Sequence, residues 1–222
     1  MEKRLKIRIQ LESPTLVGSG EGFGSLIDSD IVFDEIGLPY IPAKRIKGCL
    51  RDSITEVQDI LNSVETANLS IPSKIELIFG KTGAEEPAQV YFSNLYIREY
   101  EQNRTWLRYF LESDNFKSQV TRESIQVQFT EIRQMTKVSE NGVAFDNSLR
   151  SVRLIKRGEI FEGDVYIIGS SESNEAIIQT LNLACMNFRR MGTNRNRGFG
   201  EISCILDTGN EKIKMPEALC IS

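Results

Sequence analysis

The chain has 222 residues, with 31 acidic and 27 basic side chains and 40% apolar residues. These fractions are ordinary for a globular protein and exclude disordered and collagen-like chains. The sequence contains no histidine, which excludes Ser-His-Asp, Cys-His and zincin chemistry. A net charge of −4 argues against indiscriminate coating of nucleic acid but permits a local basic surface.

The first half of the chain predicts a strand, an extended segment and a helix. The strand covers residues 6–16, and a glycine-rich break at residues 17–25 separates it from extended residues 26–33. A helix is predicted to begin near Ala43, because apolar residues from Ile46 to Leu61 recur at intervals of three and four. Its first two turns carry four basic residues, Lys44, Arg45, Lys47 and Arg51. Positive charge there opposes the helix dipole, which suggests a functional role.

The second half predicts mostly strands, at residues 75–79, 89–97, 124–135, 149–155 and 159–168. Asn141-Gly142 is a strong hairpin-turn signal. A second helix is predicted from a cap at residues 173–175 to Gly192, followed by a last strand at residues 201–206. This order predicts an α+β fold, an RRM-like or ferredoxin-like antiparallel sheet with helices on one face. We expect a single domain over residues 1–222, with an inserted strand-rich region and hairpin at about 80–150.

Location follows from what the sequence lacks. No run approaches the ~18 apolar residues that span a membrane, and the N-terminus alternates charge with apolar residues, unlike a signal peptide. The four cysteines are scattered without a Cys-x-x-Cys pair, which favours reduced thiols over a disulfide framework or zinc site. We therefore expect a cytoplasmic protein with no membrane contact and no tightly bound cofactor.

The segment after the second helix is the sharpest functional signal. Four arginines fall within nine residues and are followed by a glycine-flanked aromatic, giving Arg189, Arg190, Arg195, Arg197, Gly198, Phe199 and Gly200. Arginine binds phosphates, glycine lets a backbone approach, and Phe199 could stack on a base. The alternative is a solvated basic loop. A further basic group contains Arg150, Arg153, Lys156 and Arg157. Together the clusters predict a basic track that suits a phosphate backbone.

Two other groups have open interpretations. The glycines of residues 18–24 do not fit a dinucleotide or phosphate-loop motif, yet they could offer N–H donors to a ligand or form a flexible bulge. On a strand, Asp28 and Asp30 would share a face about 7 Å apart. They could hold a cation or position a nucleophile, or they could be exposed acids at a strand edge.

Four stretches together resemble a known family. They are residues 16–20 (LVGSG), 37–51 (GLPYIPAKRIKGCLR), 142–150 (GVAFDNSLR) and 195–200 (RNRGFG). In this order they are similar to the RAMP superfamily of CRISPR-associated proteins, specifically the type III effector subunits and most closely the type III-D branch.

The resemblance implies an RRM-like subunit that binds CRISPR guide RNA, faces target RNA and assembles with other RAMP subunits and the large subunit of the effector. The inserted hairpin would act as a thumb, with Arg133, Lys137 and Arg150 as contacts. With the basic clusters, this gives the candidate RNA-binding residues Gly18, Ser19, Gly20, Lys44, Arg45, Lys47, Arg51, Arg133, Lys137, Arg150, Arg153, Arg189, Arg190, Arg195, Arg197, Gly198, Phe199 and Gly200.

The resemblance also implies a candidate catalytic residue. Asp28 stands where backbone-type subunits carry the acidic residue that cuts target RNA with a divalent metal such as Mg²⁺. A related type caps the 5′ tag of the guide without cutting, and the sequence does not separate the two. The remaining alternatives are a stand-alone endonuclease that cuts CRISPR precursor RNA and a scaffold subunit that binds only protein.

Overall fold

The computed structural model describes residues 2–18, 27–63, 70–81, 87–116, 118–136, 139, 141, 145 and 147–209. The strands are β1 (Glu2–Leu11), β2 (Tyr40–Ile41), β3 (Val90–Phe92), β4 (Leu95–Ile97), β5 (Thr130–Met135), β6 (Arg150–Ile155), β7 (Ile160–Ile168) and β8 (Ile202–Asp207). The helices are α1 (Ala43–Ser63), α2 (Ile75–Phe79), α3 (Tyr100–Glu112), α4 (Arg122–Phe129) and α5 (Ser171–Asn187). No described helix is both long and apolar enough to cross a membrane.

Six strands form the main sheet, in the order β2-β4-β7-β1-β8, with β3 beside β7. These neighbouring strands are all antiparallel. In chain order the sheet and its two covering helices follow as β1, β2, α1, β3, β4, β7, α5 and β8. This is the predicted α+β ferredoxin-like arrangement, with two helices linking strands of one antiparallel sheet.

The sheet buries one face because apolar and polar residues alternate along its strands. In β1 the residues Leu5, Ile7, Ile9 and Leu11 are buried, whereas Arg4, Lys6 and Gln10 between them are exposed. The buried side chains belong to the same core cluster as those of α1 and α5. Alternation with a period of two therefore fixes which face the helices cover. The strand itself is shorter than predicted at its end, since it stops at Leu11.

Helix α1 confirms the predicted amphipathic segment. It begins at Ala43 and buries Ile46, Leu50, Ile54 and Leu61. Helix α5 is displaced from its prediction. It begins at Ser171, after Ser170 accepts a hydrogen bond from the backbone of Ser173 at 3.3 Å, and it ends at Asn187 rather than near Gly192. The basic residues that follow Asn187 therefore lie in a loop, not in the last turn of a helix.

The region between β4 and β7 contains the insertion. Its strands β5 and β6 pair antiparallel, with Met135 opposite Arg150, so the predicted hairpin strands are confirmed. The residues between them are described only in part. The insertion also contains helices α3 and α4, which were not predicted. Residues 124–129 are helical rather than extended, because Thr121 and Ser124 form a reciprocal capping box.

A second strand prediction, at residues 75–79, is also wrong. These residues form α2, a helix of five residues that buries Ile75, Ile78 and Phe79. Their spacing of three and four places them on one side of a helix. The short apolar run fits either element, and here packing against the core selected the helix.

Candidate nucleic-acid interface

The N-terminal half of α1 presents the first basic group. Lys44 and Arg45 are exposed, and Lys47 and Arg51 are partly exposed. Arg45 donates a hydrogen bond from Nη2 to the carbonyl oxygen of Gly18 at 3.0 Å. This contact joins α1 to the segment that follows β1, so Gly18 and the helix belong to one surface.

The loop between α5 and β8 docks on the same segment. Thr193 donates its N–H to the carbonyl of Leu16 at 3.2 Å, and Gly200 donates its N–H to the carbonyl of Pro14 at 3.0 Å. Residues Arg195–Arg197 form one turn of 3-10 helix within the loop. Arg190 donates from Nη1 to the carbonyl of Arg195 at 3.1 Å. The loop is therefore held against the chain on both sides of its arginines.

Between α1 and this loop lies a groove of about 470 Å³. We call it the basic groove, and its lining includes Arg45, Cys49, Asp52, Glu56, Asn187, Arg189, Arg190 and Arg195. A neighbouring depression continues past Arg45 to Gly18, Lys44 and Gly48. The arginines come from segments about 140 residues apart in the sequence, so the fold brings together two of the predicted clusters. Guanidinium groups in such an arrangement can bind successive phosphates.

The groove is not uniformly positive. Asp52 and Glu56 also line it, and Glu56 accepts a hydrogen bond from Asn187 at 3.0 Å. Burial raises the pKa of the Cys49 thiol above its usual range, and nearby Arg45 and Arg195 offset part of that rise. Cys49 is therefore a neutral thiol at pH 7 rather than a nucleophile.

Two glycines of the loop have different structural roles. Gly200 has φ +78°, and a Cβ atom there would lie 2.0 Å from the carbonyl oxygen of Met191. Gly198 has φ +79°, yet its Cβ position has no neighbour within 4 Å. Gly200 thus allows two backbone segments to pack closely, while Gly198 leaves its backbone open to a ligand.

Phe199 does not form the open stacking platform that the sequence suggests. Its side chain is only 6% exposed, and the guanidinium of Arg133 lies 5.5 Å from its ring centroid. The ring therefore belongs to the core, and the guanidinium of Arg133 lies over it in a cation–π contact. This contact places the predicted thumb residue Arg133 beside the loop between α5 and β8.

The arginines of the β5–β6 hairpin differ in how far their side chains are exposed. Arg133 and Arg150 are exposed on β5 and at the start of β6. Arg153 was predicted as an RNA contact, but its side chain is 15% exposed and donates from Nη1 to Asp30 at 3.2 Å. It also lies 5.4 Å from the ring centroid of Phe33. Arg153 is therefore a structural residue that ties β6 to residues 30–33.

Asp28 and Asp30 lie in different environments. Asp28 is exposed, and its Oδ2 accepts the N–H of Ser151 at 2.8 Å. Asp30 is 6% exposed and pairs with Arg153. The expected pair of carboxylates on one strand face is thus absent, because residues 27–33 make isolated bridges instead of a regular strand. Ser19, Gly20 and Lys137 lie outside the described residues.

A metal site is not evident at Asp28. Among the residues that the structure describes, no three His, Cys, Asp or Glu side chains converge. The described carboxylates around Asp28 therefore do not fit a protein-held divalent metal, which normally needs several oxygen ligands. The expected Mg²⁺ requirement stays a prediction.

Sequence comparison decides the family. The family model for the RAMP superfamily matches residues 8–203. The chain belongs to the RAMP superfamily. A search of curated proteins found no match.

Solved structures support the same fold for this RAMP chain. A cryo-EM structure of the Type III-B Cmr-beta bound to cognate target RNA contains a chain with 14% sequence identity and a TM-score of 0.64. The match covers 92% of this chain and 97% of that one. A structure of Cmr-beta in the apo state contains a chain with 14% identity and a TM-score of 0.62, over 91% and 96% of the two chains. The likeness establishes the fold.

The uncovered sheet face of this RAMP chain differs from the groove. There Arg4 binds Asp164 through two hydrogen bonds of 3.0 and 2.8 Å, and Arg8 binds Glu162 at 2.8 Å. These arginines are neutralised by carboxylates on the neighbouring strand β7. The sheet face is therefore less suited to a phosphate backbone than the basic groove.

The sequence did not predict every residue of the groove. Cys49, Asp52 and Glu56 follow Arg45 at spacings of four, three and four, which puts them on one side of α1. Helical periodicity could have found this second stripe beside the apolar one. Asn187 had no such signal, since its place in the groove depends on where α5 ends.

Proposed function

We propose that this chain is a guide-RNA-binding subunit of a type III CRISPR effector complex, with the guide lying in the basic groove. One observation carries the proposal. Arg45 of α1 lines the same groove as three of the arginines that follow α5, Arg189, Arg190 and Arg195, in a chain of the RAMP superfamily. The similarity to chains of a Cmr-beta complex supports the type III setting. The finer type III-D placement stays a prediction.

The groove recognises RNA through its backbone. Guanidinium groups bind phosphates, and Phe199 in the loop between α5 and β8 is buried, so it offers no ring on which a base could stack. Binding is then independent of base identity and sensitive to salt. Sequence specificity comes from pairing between guide and target, as in other RNA-guided systems. The partners under this proposal are guide RNA, target RNA, other RAMP subunits and the large subunit.

Purified protein and a fluorescent single-stranded RNA of guide length test the proposal. We expect the wild-type chain to bind this RNA and the variant Arg45→Ala/Arg189→Ala/Arg195→Ala to lose most of the affinity. The matched control Arg4→Ala/Arg8→Ala/Arg98→Ala removes equal charge from the sheet side and should bind as the wild type does. RNA-free wild-type protein with no affinity for the probe would contradict the proposal and favour a protein-only scaffold.

A second function, cleavage of target RNA, rests on Asp28. The side chain is exposed, and the hydrogen bond from Ser151 fixes one oxygen beside β6, near the loop end of the hairpin strands. In this role the carboxylate takes the proton of a ribose 2′-hydroxyl, whose oxygen attacks the adjacent phosphate to give a 2′,3′-cyclic phosphate. The displaced 5′-oxygen of the next nucleotide leaves with a proton from water. No step through a metal ion is assigned, because the described residues do not form a metal site.

Target cleavage by the assembled particle tests this role. We expect Asp28→Asn to abolish cleavage without changing the subunit content of the particle. Cleavage that persists in this variant would remove Asp28 from the reaction and favour the 5′-tag cap. Isolated protein with repeat-containing RNA provides the matching test of the stand-alone endonuclease, for which we expect no product.

A further inference from the structure

Gly48 lies in the interior of α1, at a position where packing does not require a glycine. A Cβ atom built there has no heavy atom of the described residues within 4 Å. The backbone is helical and its φ is not positive, so no left-handed conformation calls for glycine either. Glycine in a helix interior is destabilising relative to alanine. A residue that weakens its own helix without a packing reason points to a functional one.

Gly48 lines a depression that adjoins the basic groove. The depression measures about 520 Å³, which is within the range of sites that hold small molecules. Arg45, Cys49 and Asp52 line both cavities, so the depression continues the groove. We call it the side pocket. Its described lining outside the basic groove consists of Gly18, Val32, Pro42, Lys44 and Gly48.

The charges of the two cavities differ. The basic groove has three arginines of its own, whereas Lys44 is the one cation that the described residues add to the side pocket. The side chains of Val32 and Pro42 are apolar, and the carboxylate of Asp52 on the shared edge disfavours a phosphate. The side pocket therefore suits a flat, uncharged group that is attached to a phosphate in the groove. The bases of a single RNA strand are groups of this kind.

Arg45 offers a surface on which such a group can stack. Its Nη2 donates a hydrogen bond to the carbonyl oxygen of Gly18 at 3.0 Å, which holds the guanidinium at the boundary between the two cavities. Bases stack on guanidinium planes as they do on aromatic rings. Gly48 has no side chain, so a ring can approach the backbone of α1 closely.

We propose that the side pocket binds one unpaired base of an RNA strand whose phosphates lie in the basic groove. The inference rests on the proposed function, since it requires RNA in that groove. The base is held by its ring face and by the shape of the pocket, so bases of different identity fit. Gly48 is then the residue that keeps the pocket open.

The variant Gly48→Leu tests the inference because it fills the pocket without removing a charge from the groove. Leucine has a higher helix propensity than glycine, and the added side chain enters open space, so the variant should stay folded. Thermal unfolding checks this. The matched control Thr55→Leu places the same side chain at an exposed position of α1 that lines neither cavity.

Two fluorescent probes separate base contacts from backbone contacts. One is a uridine oligomer of guide length, and the other is an oligomer of the same length with every base removed. The wild type should bind the uridine oligomer about tenfold more tightly, a ratio at the low end of the contribution of one stacked base. Gly48→Leu should lose about this factor for the uridine oligomer and nothing for the abasic one. Thr55→Leu should behave as the wild type with both.

Each other result is decisive. Equal loss of affinity for both probes in Gly48→Leu would mean that the backbone occupies the side pocket, and no loss for either would mean that nothing does. Either result would overturn the inference. Wild-type protein that binds both oligomers equally would overturn the inference but leave the proposed function intact. Wild-type protein that binds neither would overturn the proposed function and the inference with it.

A photoreactive base gives a second measurement on the unmodified protein. Uridine oligomers that contain 4-thiouridine form covalent adducts where the base itself meets the protein. We expect adducts at Val32 or Pro42, which line the side pocket and not the basic groove. Adducts found only at other residues would overturn the inference.

Discussion

Arg45 and Gly18 are joined by a hydrogen bond of 3.0 Å from the guanidinium to the carbonyl oxygen. Gly18 in turn forms an antiparallel bridge with Ile31, three residues from Asp28. The basic groove and the candidate cleavage residue are therefore linked by a short series of backbone contacts. A change that loosens this series should affect both RNA binding and target cleavage.

The first prediction concerns the salt dependence of RNA binding. Arg195→Ala should lower affinity for single-stranded RNA about tenfold, because one charge-assisted hydrogen bond is lost. The slope of log K against log salt should fall by about 0.7 for each phosphate contact removed. Fluorescence anisotropy across a salt series measures both quantities. The control is Arg98→Ala, which lies outside the groove, and an Arg195→Ala slope equal to the wild-type slope would argue against phosphate contact.

The second prediction concerns the ion pair between Asp30 and Arg153, whose side chains are 7% and 15% exposed. Arg153→Ala removes the guanidinium that faces the buried Asp30 carboxylate and should lower the free energy of unfolding by about 3 kcal/mol. Arg150→Ala, at an exposed position of the same strand, should change it by less than about 0.5 kcal/mol. Urea denaturation compares the two variants. Equal stabilities would show that the pair is not buried as described.

The third prediction compares two glycines of the same loop. Gly198→Ala should cost roughly 1–2 kcal/mol, since only its left-handed backbone conformation is unfavourable. Gly200→Ala has the same conformational cost, and its new Cβ atom would also collide with the carbonyl of Met191. This variant should therefore lose clearly more stability than Gly198→Ala. Thermal unfolding of both variants is the measurement. If they lose equal stability, the close packing of the loop on residue 191 is incorrect.

The fourth prediction concerns pH. Hydrogen bonding to Arg104 and the charge of Arg108 hold the pKa of Glu35 below its ordinary value of 4.5. The folded state therefore favours the carboxylate, and the stabilisation of α3 by this group is present above about pH 4.5 and is lost as the pH falls through the lowered pKa.

Fluorescence of Trp106 on α3 reports that loss. The wild-type emission should change on acidification below about pH 4.5, whereas Glu35→Gln should lack this component, since it cannot ionise. The comparison removes the contribution of other carboxylates. Identical titrations of the two proteins would show that Glu35 does not anchor the helix.

Much of the fold could be predicted because its signals are local. The apolar stripe of α1 and the apolar–polar alternation of β1 can each be recognised from a few neighbouring residues. Together they predict a helical layer packed on a sheet. Helices α3 and α4 were missed because they are short and mostly exposed, with Ile125 the only fully buried residue of the two. In α4 the apolar periodicity is too weak to compete with β propensity, whereas α3 is amphipathic and its segment was left unassigned.

The candidate site could be predicted only in part for a different reason. Basic clusters are visible in the sequence, but which of their members face solvent depends on partners far away in the chain. Arg153 meets Asp30 across 123 residues, and Phe199 is covered by Arg133. The basic clusters suggested both residues as RNA contacts. Only the tertiary structure shows that Arg153 and Phe199 pack beneath the surface instead of lying on it.

Ultraviolet cross-linking of the bound guide RNA, followed by mass spectrometry of the peptides, tests the central claim most directly. We predict cross-links in peptides that contain Cys49 or residues 189–197, on the two walls of the basic groove. Cross-links confined to Tyr91, Tyr96 and Tyr166 of the uncovered sheet would contradict the account, because they would place the RNA on the opposite side of the sheet.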